Sequence, residues 1–165
     1  MKKVILLFCS IISSQTCIAL SGEAYMERFN TYLSFSQNLP TTTPSTAFLD
    51  FIKGTTPLST KLREKWLYEL ARNKDWTSFS QYYQPSNDLN LACYEQIANY
   101  NTGKQQEALK ASIPLWLSGD SMPPSCNSLF DLLLKDNNFN QNLITHRINL
   151  ALDRRNIQLA RYLLN

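Results

Sequence analysis

Apolar residues recur at spacings of three and four along most of this 165-residue chain, in segments that end near glycine or proline. That spacing places the apolar side chains on one face of an α-helix, which turns once in about 3.6 residues. The pattern is strongest in residues 59–73, where Leu62, Trp66 and Leu70 form the apolar stripe. It predicts an all-α chain with helices over residues 23–37, 45–53, 59–73, 76–83, 89–101, 104–117, 125–135, 142–155 and 157–164.

The predicted helices form pairs joined by tight turns, which indicates stacked helical hairpins. Asp75, and either Asn87 or Asp88, are placed to cap the helices that follow them, and Gly103 is placed to end one. Pro114 is expected to kink or shorten the helix that contains it. The helix lengths favour a helical-hairpin superhelix, a fragment of a TPR-like solenoid, although the sequence has no strict period. A compact bundle is the alternative arrangement.

The first residues have the pattern of a secretory signal peptide, because Lys2 and Lys3 precede an apolar run over residues 4–12. This run is too short to span a bilayer as a helix, which takes about 20 residues. We expect cleavage after Ala19 or nearby. Lipidation at Cys17 and retention as an uncleaved anchor are the alternatives. The predicted division is a signal peptide over residues 1–19, an N-terminal helix and linker over 20–44, and a helical superhelix domain over 45–165.

Two of the four cysteines, Cys93 and Cys126, remain once the predicted signal peptide is removed. If these two thiols pair, a single bond ties neighbouring helical hairpins together. Stable disulfides belong to oxidising compartments. The cysteines and the signal pattern together predict a periplasmic protein.

The charge balance does not favour a nucleic-acid partner. Without Lys2 and Lys3 the chain has 14 basic and 13 acidic residues. Binding to nucleic acid would require lysine and arginine clustered on one face, well above the acidic count. The densest basic run is Arg154 and Arg155, which fits a solvated helix face.

Residues that could carry other chemistry are sparse. His146 is the single histidine, and no cysteine or carboxylate cluster accompanies it at the spacing of metal ligands. A serine or cysteine nucleophile would need a histidine partner, and four scattered glycines form no phosphate-binding loop. We therefore predict no catalytic residue, no metal site and no cofactor.

Four segments occur in the order and at about the spacing of a known family. They are REKWLYELARNKDWTSFSQYY at 63–83, LACYEQIANYNTGK at 91–104, LWLSGDSMPPSCNSLF at 115–130 and HRINLALDRRNIQLARYLL at 146–164. Taken together, with the two cysteines, they resemble the helical superhelix domain of the soluble lytic murein transglycosylases. The resemblance covers roughly residues 46–165.

The resemblance implies a scaffold and not a catalyst. Enzymes of that family cleave peptidoglycan between N-acetylmuramic acid and N-acetylglucosamine in the periplasm, leaving a 1,6-anhydro product. A glutamate in a Glu-Ser motif of a C-terminal lysozyme-like domain serves as acid and base, whereas the helical domain helps to hold the glycan strand. No segment here resembles the lysozyme-like domain, and serine follows none of the six glutamates, which we expect to be exposed: Glu23, Glu27, Glu64, Glu69, Glu95 and Glu107.

Three functional hypotheses follow. The first is a non-catalytic periplasmic scaffold that binds peptidoglycan glycan strands or partners a separately encoded catalytic domain. The second is a truncated fragment of a longer transglycosylase whose missing part cleaves peptidoglycan. The third is a generic exported helical-repeat module for protein interaction.

Tyr82 and Tyr83 are the candidate glycan contacts. Sugar rings stack on aromatic faces, but most aromatic residues of this chain lie on apolar helix stripes and are expected to pack in the core. Adjacent residues of a helix point in different directions, so we expect one of these two tyrosines to present an exposed ring on the concave face.

Overall fold

The computed structural model describes residues 22–164, and all of the regular structure in that range is helical. The predicted signal peptide over 1–19 lies outside the described residues. The elements are α1 (Gly22–Gln37), α2 (Thr46–Lys53), α3 (Pro57–Arg72), α4 (Trp76–Tyr82), α5 (Leu89–Asn101), α6 (Gln105–Trp116), a 3-10 turn (Pro124–Cys126), α7 (Asn127–Leu133), α8 (Gln141–Asp153) and α9 (Ile157–Leu163). Between residues 22 and 164, no helix is both long and apolar enough to cross a membrane.

The helix starts follow from local capping. Thr56 begins α3 two residues earlier than predicted, because its hydroxyl accepts a hydrogen bond from the Ser59 amide at 3.3 Å. Asp75 and Asp88 cap α4 and α5, accepting from the amides two or three residues ahead. Pro114 does not break α6, which continues to Trp116.

Three hairpin turns share one backbone geometry. Lys74, Gly103 and Arg155 have φ angles of 57°, 98° and 59°, in the left-handed region. At each turn the next amide donates to a carbonyl five residues back, which closes the preceding helix. These bonds are Asp75 N to Leu70 O at 2.9 Å, Lys104 N to Asn99 O at 2.9 Å and Asn156 N to Ala151 O at 2.8 Å. The hairpin is therefore repeated in structure without a repeated sequence.

Helices pack mainly against their neighbours in the chain: α2 on α3, α3 on α4, α4 on α5, α5 on α6, α6 on α7 and α8 on α9, while α1 returns onto α3. Such neighbour-to-neighbour packing is that of a helical-hairpin superhelix. The prediction of an all-α superhelix is confirmed, and the alternative of a compact bundle is not what the structure shows.

The buried apolar residues form two main cores. The first core lies between α2, α3, α4 and α5 and is centred on Phe48, Trp66 and Phe79. The second core lies between α5, α6 and α7 and is centred on Trp116 and Leu129. Helix α5 contributes to both, which makes it the structural bridge of the array.

A disulfide between Cys93 and Cys126 lies inside the second core. The two Cα atoms are 5.1 Å apart and both side chains are fully buried. Cys93 belongs to α5 and Cys126 to the 3-10 turn before α7, so the bond holds the later helices against α5. Nearby, Ser125 Oγ donates to Asn90 Oδ1 at 2.8 Å and reinforces the same junction.

Backbone strain at the hairpin turns is open to test by substitution. Lys74→Gly is expected to raise the free energy of unfolding by about 0.5 kcal/mol, because glycine adopts positive φ without steric cost. Gly103→Ala is expected to lower it by about 1 kcal/mol. A Cβ at Gly103 would meet nothing within 4 Å, so that loss would come from the backbone alone. Urea denaturation measures the free energy of unfolding of each variant. Unchanged stability in the two variants would contradict the left-handed backbone assigned to these turns.

The disulfide is expected to supply a large share of the stability. Replacing both Cys93 and Cys126 by alanine should lower the free energy of unfolding by roughly 3 to 4 kcal/mol, because the bond closes a loop with a sequence separation of 33. Denaturation with and without reductant is the measurement. Reductant should destabilise the wild type and leave the double variant unchanged. A wild-type denaturation midpoint that does not change with reductant would show that the bond contributes nothing to stability.

Candidate functional site

Tyr82 lies on the wall of a surface groove in the first half of the chain. This Tyr82 groove, of about 460 Å³, runs between the loop over residues 40–44, the end of α3 and helix α4. The Tyr82 ring is half-buried, with its centroid 4.9 Å from that of Trp66 and the two planes inclined by 49°. Trp66 Nε1 donates to the Pro40 carbonyl at 3.0 Å and thereby fixes the loop that forms the opposite wall.

Polar side chains line the Tyr82 groove around the Tyr82 ring. The lining includes hydroxyl, amide and carboxylate groups from Thr41, Thr42, Thr43, Glu69, Asn73, Asp75, Ser78 and Gln81. Glu69 is already paired with Arg72 at 2.9 Å. A partly exposed tyrosine ring with hydrogen-bonding groups around it is an arrangement that suits a sugar, whose apolar ring face packs on aromatic carbon while its hydroxyls are hydrogen-bonded.

Tyr83 is placed differently and does not line that groove. Its ring stacks on Phe79, with centroids 5.6 Å apart and planes at 17°. Burial and the neighbouring Glu95 carboxylate raise the pKa of Tyr83 to about 12, and its hydroxyl is hydrogen-bonded to Glu95. Tyr82 and Tyr83 are both partly buried against the first core, and Tyr82 also lines the Tyr82 groove. Helix α4 ends at Tyr82.

The carboxylate of Asp88, at the start of α5, is hydrogen-bonded within the fold. Tyr68 donates to Asp88 Oδ2 at 2.5 Å, and the Asn90 amide donates to Asp88 Oδ1 at 2.8 Å. Partial burial raises the pKa of Asp88, but these hydrogen bonds act in the opposite direction and leave it below its usual range. Burial raises the pKa of Tyr68, and its bond to Asp88 raises it further. Asp88 is therefore an ionised helix cap.

The expectation that every glutamate is exposed was wrong for three of the six. Glu64, Glu69 and Glu95 are partly buried, whereas Glu23, Glu27 and Glu107 are exposed. Burial raises the pKa of Glu95, and hydrogen bonds from Tyr83 and Gln96 oppose that rise. A raised pKa is a property of a general acid, but Glu95 does not line the Tyr82 groove, where a sugar would meet it.

Arg147, on α8, was not singled out by the sequence analysis. It is buried in the second half of the chain and lines a further groove between α7, α8 and α9. The signal was present in the sequence, because Arg147 lies at helical spacing with Ile144, Ile148 and Ala151 on the inward stripe. His146, next to it, is exposed, and residues 22–164 contain no group of three or more potential metal ligands.

Comparison with known proteins gives one consistent result. The chain is 29% identical over 92 residues to the soluble lytic murein transglycosylase of Escherichia coli K12 and 28% identical over the same length to that of Salmonella typhimurium LT2. Each match covers 54% of this chain and 14% of the relative, so the chain spans only a small part of these enzymes. No family model matches the chain.

Solved structures agree with this result. The 70-kDa soluble lytic transglycosylase of Escherichia coli superposes with a TM-score of 0.75 at 26% identity, over 84% of this chain and 23% of that enzyme. The same enzyme in complex with bulgecin A superposes with a TM-score of 0.76. An inactive mutant of the lytic transglycosylase Slt from Pseudomonas aeruginosa gives 0.73 at 27% identity, over 87% of this chain and 25% of that one. The homologues of this chain are thus soluble lytic murein transglycosylases, matched over part of their helical region.

The Tyr83 environment predicts a specific loss of stability in alkali. The folded chain holds the Tyr83 proton more tightly than the unfolded chain, since its pKa rises from 10.0 to about 12. Stability from this group is therefore complete below pH 10 and is lost as the pH rises from 10 to 12. Tyr83→Phe should lose less stability than the wild type over that interval, as measured by urea denaturation at each pH. Parallel curves for the two proteins would contradict the assignment.

Proposed function

We propose that this chain is a non-catalytic periplasmic helical scaffold that binds the glycan strands of peptidoglycan. The observation that carries the proposal is the match between its superhelix and the helical region of the soluble lytic murein transglycosylases, at TM-scores of 0.73 to 0.76. Glycan binding is assigned to the Tyr82 groove, which is lined by the Tyr82 ring and by polar side chains.

The residues also support the absence of glycan cleavage by this chain. A glycosidic acid needs a carboxyl group with a raised pKa at the place where the sugar lies. Within residues 22–164 the glutamate whose pKa is raised is Glu95, and it does not line the Tyr82 groove. Glu69 and Asp75 do line that groove, but the Glu69 carboxylate is paired with Arg72 and the Asp75 carboxylate accepts from the Ser78 amide as a helix cap.

A second candidate is favoured by the extent of the match. Because the chain spans 14% of the length of its curated relatives, it also fits a fragment of a lytic transglycosylase whose remaining part cleaves peptidoglycan. In that case the partner of this scaffold is the rest of the enzyme, either in a longer chain or as a separately encoded catalytic domain. Both candidates assign the same role to the described residues.

The proposal is tested by incubating the purified chain with sacculi. We expect the chain to sediment with sacculi and to release no soluble anhydro-muropeptides, whereas an intact soluble lytic transglycosylase in a parallel sample should release them. Mass spectrometry of the supernatant measures the products. Release by this chain would overturn the non-catalytic assignment. A chain that stays in the supernatant would support a generic interaction module instead.

Substitutions at Tyr82 test the assigned groove. Tyr82→Ala is expected to weaken binding to soluble glycan strands about fivefold, since an aromatic contact contributes roughly 1 kcal/mol. Tyr82→Phe keeps the ring and should bind like the wild type. Tyr83→Phe is the matched control, because Tyr83 lies outside the groove. Equal binding by the alanine variant and the wild type would remove Tyr82 from the site.

A further inference from the structure

Arg147 is a buried cation held between aromatic rings. Its side chain is 4% exposed. The guanidinium carbon lies 4.2 Å from the ring centroid of Trp116 and 5.0 Å from that of Phe130, and both contacts are cation–π interactions. Burial lowers the pKa of Arg147, as desolvation of a charged group requires.

Arg147 has a buried donor without a hydrogen-bond partner. Its Nε is enclosed and has no hydrogen-bond partner among the described residues, and no carboxylate there forms an ion pair with the side chain. Arg63 is buried to a similar extent, but its Nη1 donates to the Ile52 carbonyl at 2.6 Å. Because a buried cation without an anionic partner is destabilising, Arg147 is a group that an added anion would stabilise.

The space beside Arg147 is large enough for a small organic ligand. This Arg147 groove, of about 880 Å³, lies between α7, α8 and α9. Its walls are mainly apolar, with Met122, Ile144, Leu159 and Leu163. Asn127 and Gln158 add side-chain amides, and Tyr162, which is 76% exposed, adds a hydroxyl at the rim.

We propose that the Arg147 groove binds a carboxylate of the peptide attached to peptidoglycan, with Arg147 as the anion-binding residue. A guanidinium presents two parallel N–H donors that match a carboxylate. The amides of Asn127 and Gln158 can be hydrogen-bonded to peptide groups, and the apolar walls suit short aliphatic side chains. A carboxylate is favoured over a phosphate, because the groove holds a single arginine and an anion with one negative charge is repelled less by Asp131 than one with two. This inference rests on the proposed binding of peptidoglycan.

The decisive experiment uses the wild-type chain and two forms of one ligand. Soluble muropeptides with free carboxylates are compared by calorimetry with the same muropeptides after their carboxylates have been converted to amides. We expect at least tenfold weaker binding of the amidated form, because an ionic hydrogen bond to the guanidinium is lost. Equal affinity for the two forms would overturn the inference. This comparison uses only the wild-type chain, so it does not depend on a variant that could fail to fold.

Variants test whether Arg147 is the residue that recognises the carboxylate. Arg147→Met should bind free muropeptides at least tenfold more weakly than the wild type while its thermal midpoint changes little, because removing the desolvated charge offsets the loss of its two cation–π contacts. Arg63→Met is the matched control: its thermal midpoint should fall, and its preference for free over amidated muropeptides should persist. An Arg147→Met protein that keeps that preference would overturn the assignment.

The two proposals fail in different ways. Sacculus binding that is indifferent to amidation of the peptides would leave the scaffold function standing and remove the carboxylate site. Failure of the wild type to bind either sacculi or muropeptides would remove both.

Discussion

The Cys93–Cys126 disulfide is the constraint on which the second half of this molecule depends. It is fully buried and connects α5 to the turn that precedes α7. Helix α5 also contributes Leu91 and Ala98 to the first core, so one helix is shared by two apolar clusters. In an array whose helices contact mainly their neighbours, α5 joins the two clusters, and Trp76 and Tyr94 pack against both. The bond fixes the turn before α7 to this shared helix.

That arrangement gives each half of the chain a distinct surface. The first core holds Trp66 in place, and Trp66 in turn supports both the Tyr82 ring and the loop at Pro40. The second core holds Trp116. The rings of Trp116 and Phe130 contact the guanidinium of Arg147. In both grooves a buried tryptophan positions the group that is proposed to meet the ligand. Ligand recognition is thus assigned to side chains held by packed helices and, in the Tyr82 groove, also to a loop that Trp66 fixes.

The sequence predicted the helices well because their apolar stripes and caps are local signals. Asp75, Asp88 and Gly103 have the expected roles, since each acts on backbone groups within a few residues. The turns at Lys74 and Arg155 were harder to foresee, because neither residue type favours positive φ.

The environment of the candidate site residues depended on contacts between distant segments. Tyr83 packs on Phe79 and its hydroxyl is hydrogen-bonded to Glu95 of another helix, and the pKa of Glu95 is raised by burial among packed helices. Arg147 occupies an inward position of an apolar stripe, a signal that could have been read from the sequence. The lack of a hydrogen-bond partner for Arg147 Nε could not be read from the sequence, because it depends on every group packed around α8.

The claim that the disulfide holds the second core against α5 is tested most directly by hydrogen exchange, followed by mass spectrometry, on the oxidised and reduced chain. The account predicts that reduction removes protection from the amides of α6 and α7 while those of α2 and α3 remain protected. Loss of protection at the same rate throughout residues 22–164, or no change on reduction, would contradict it.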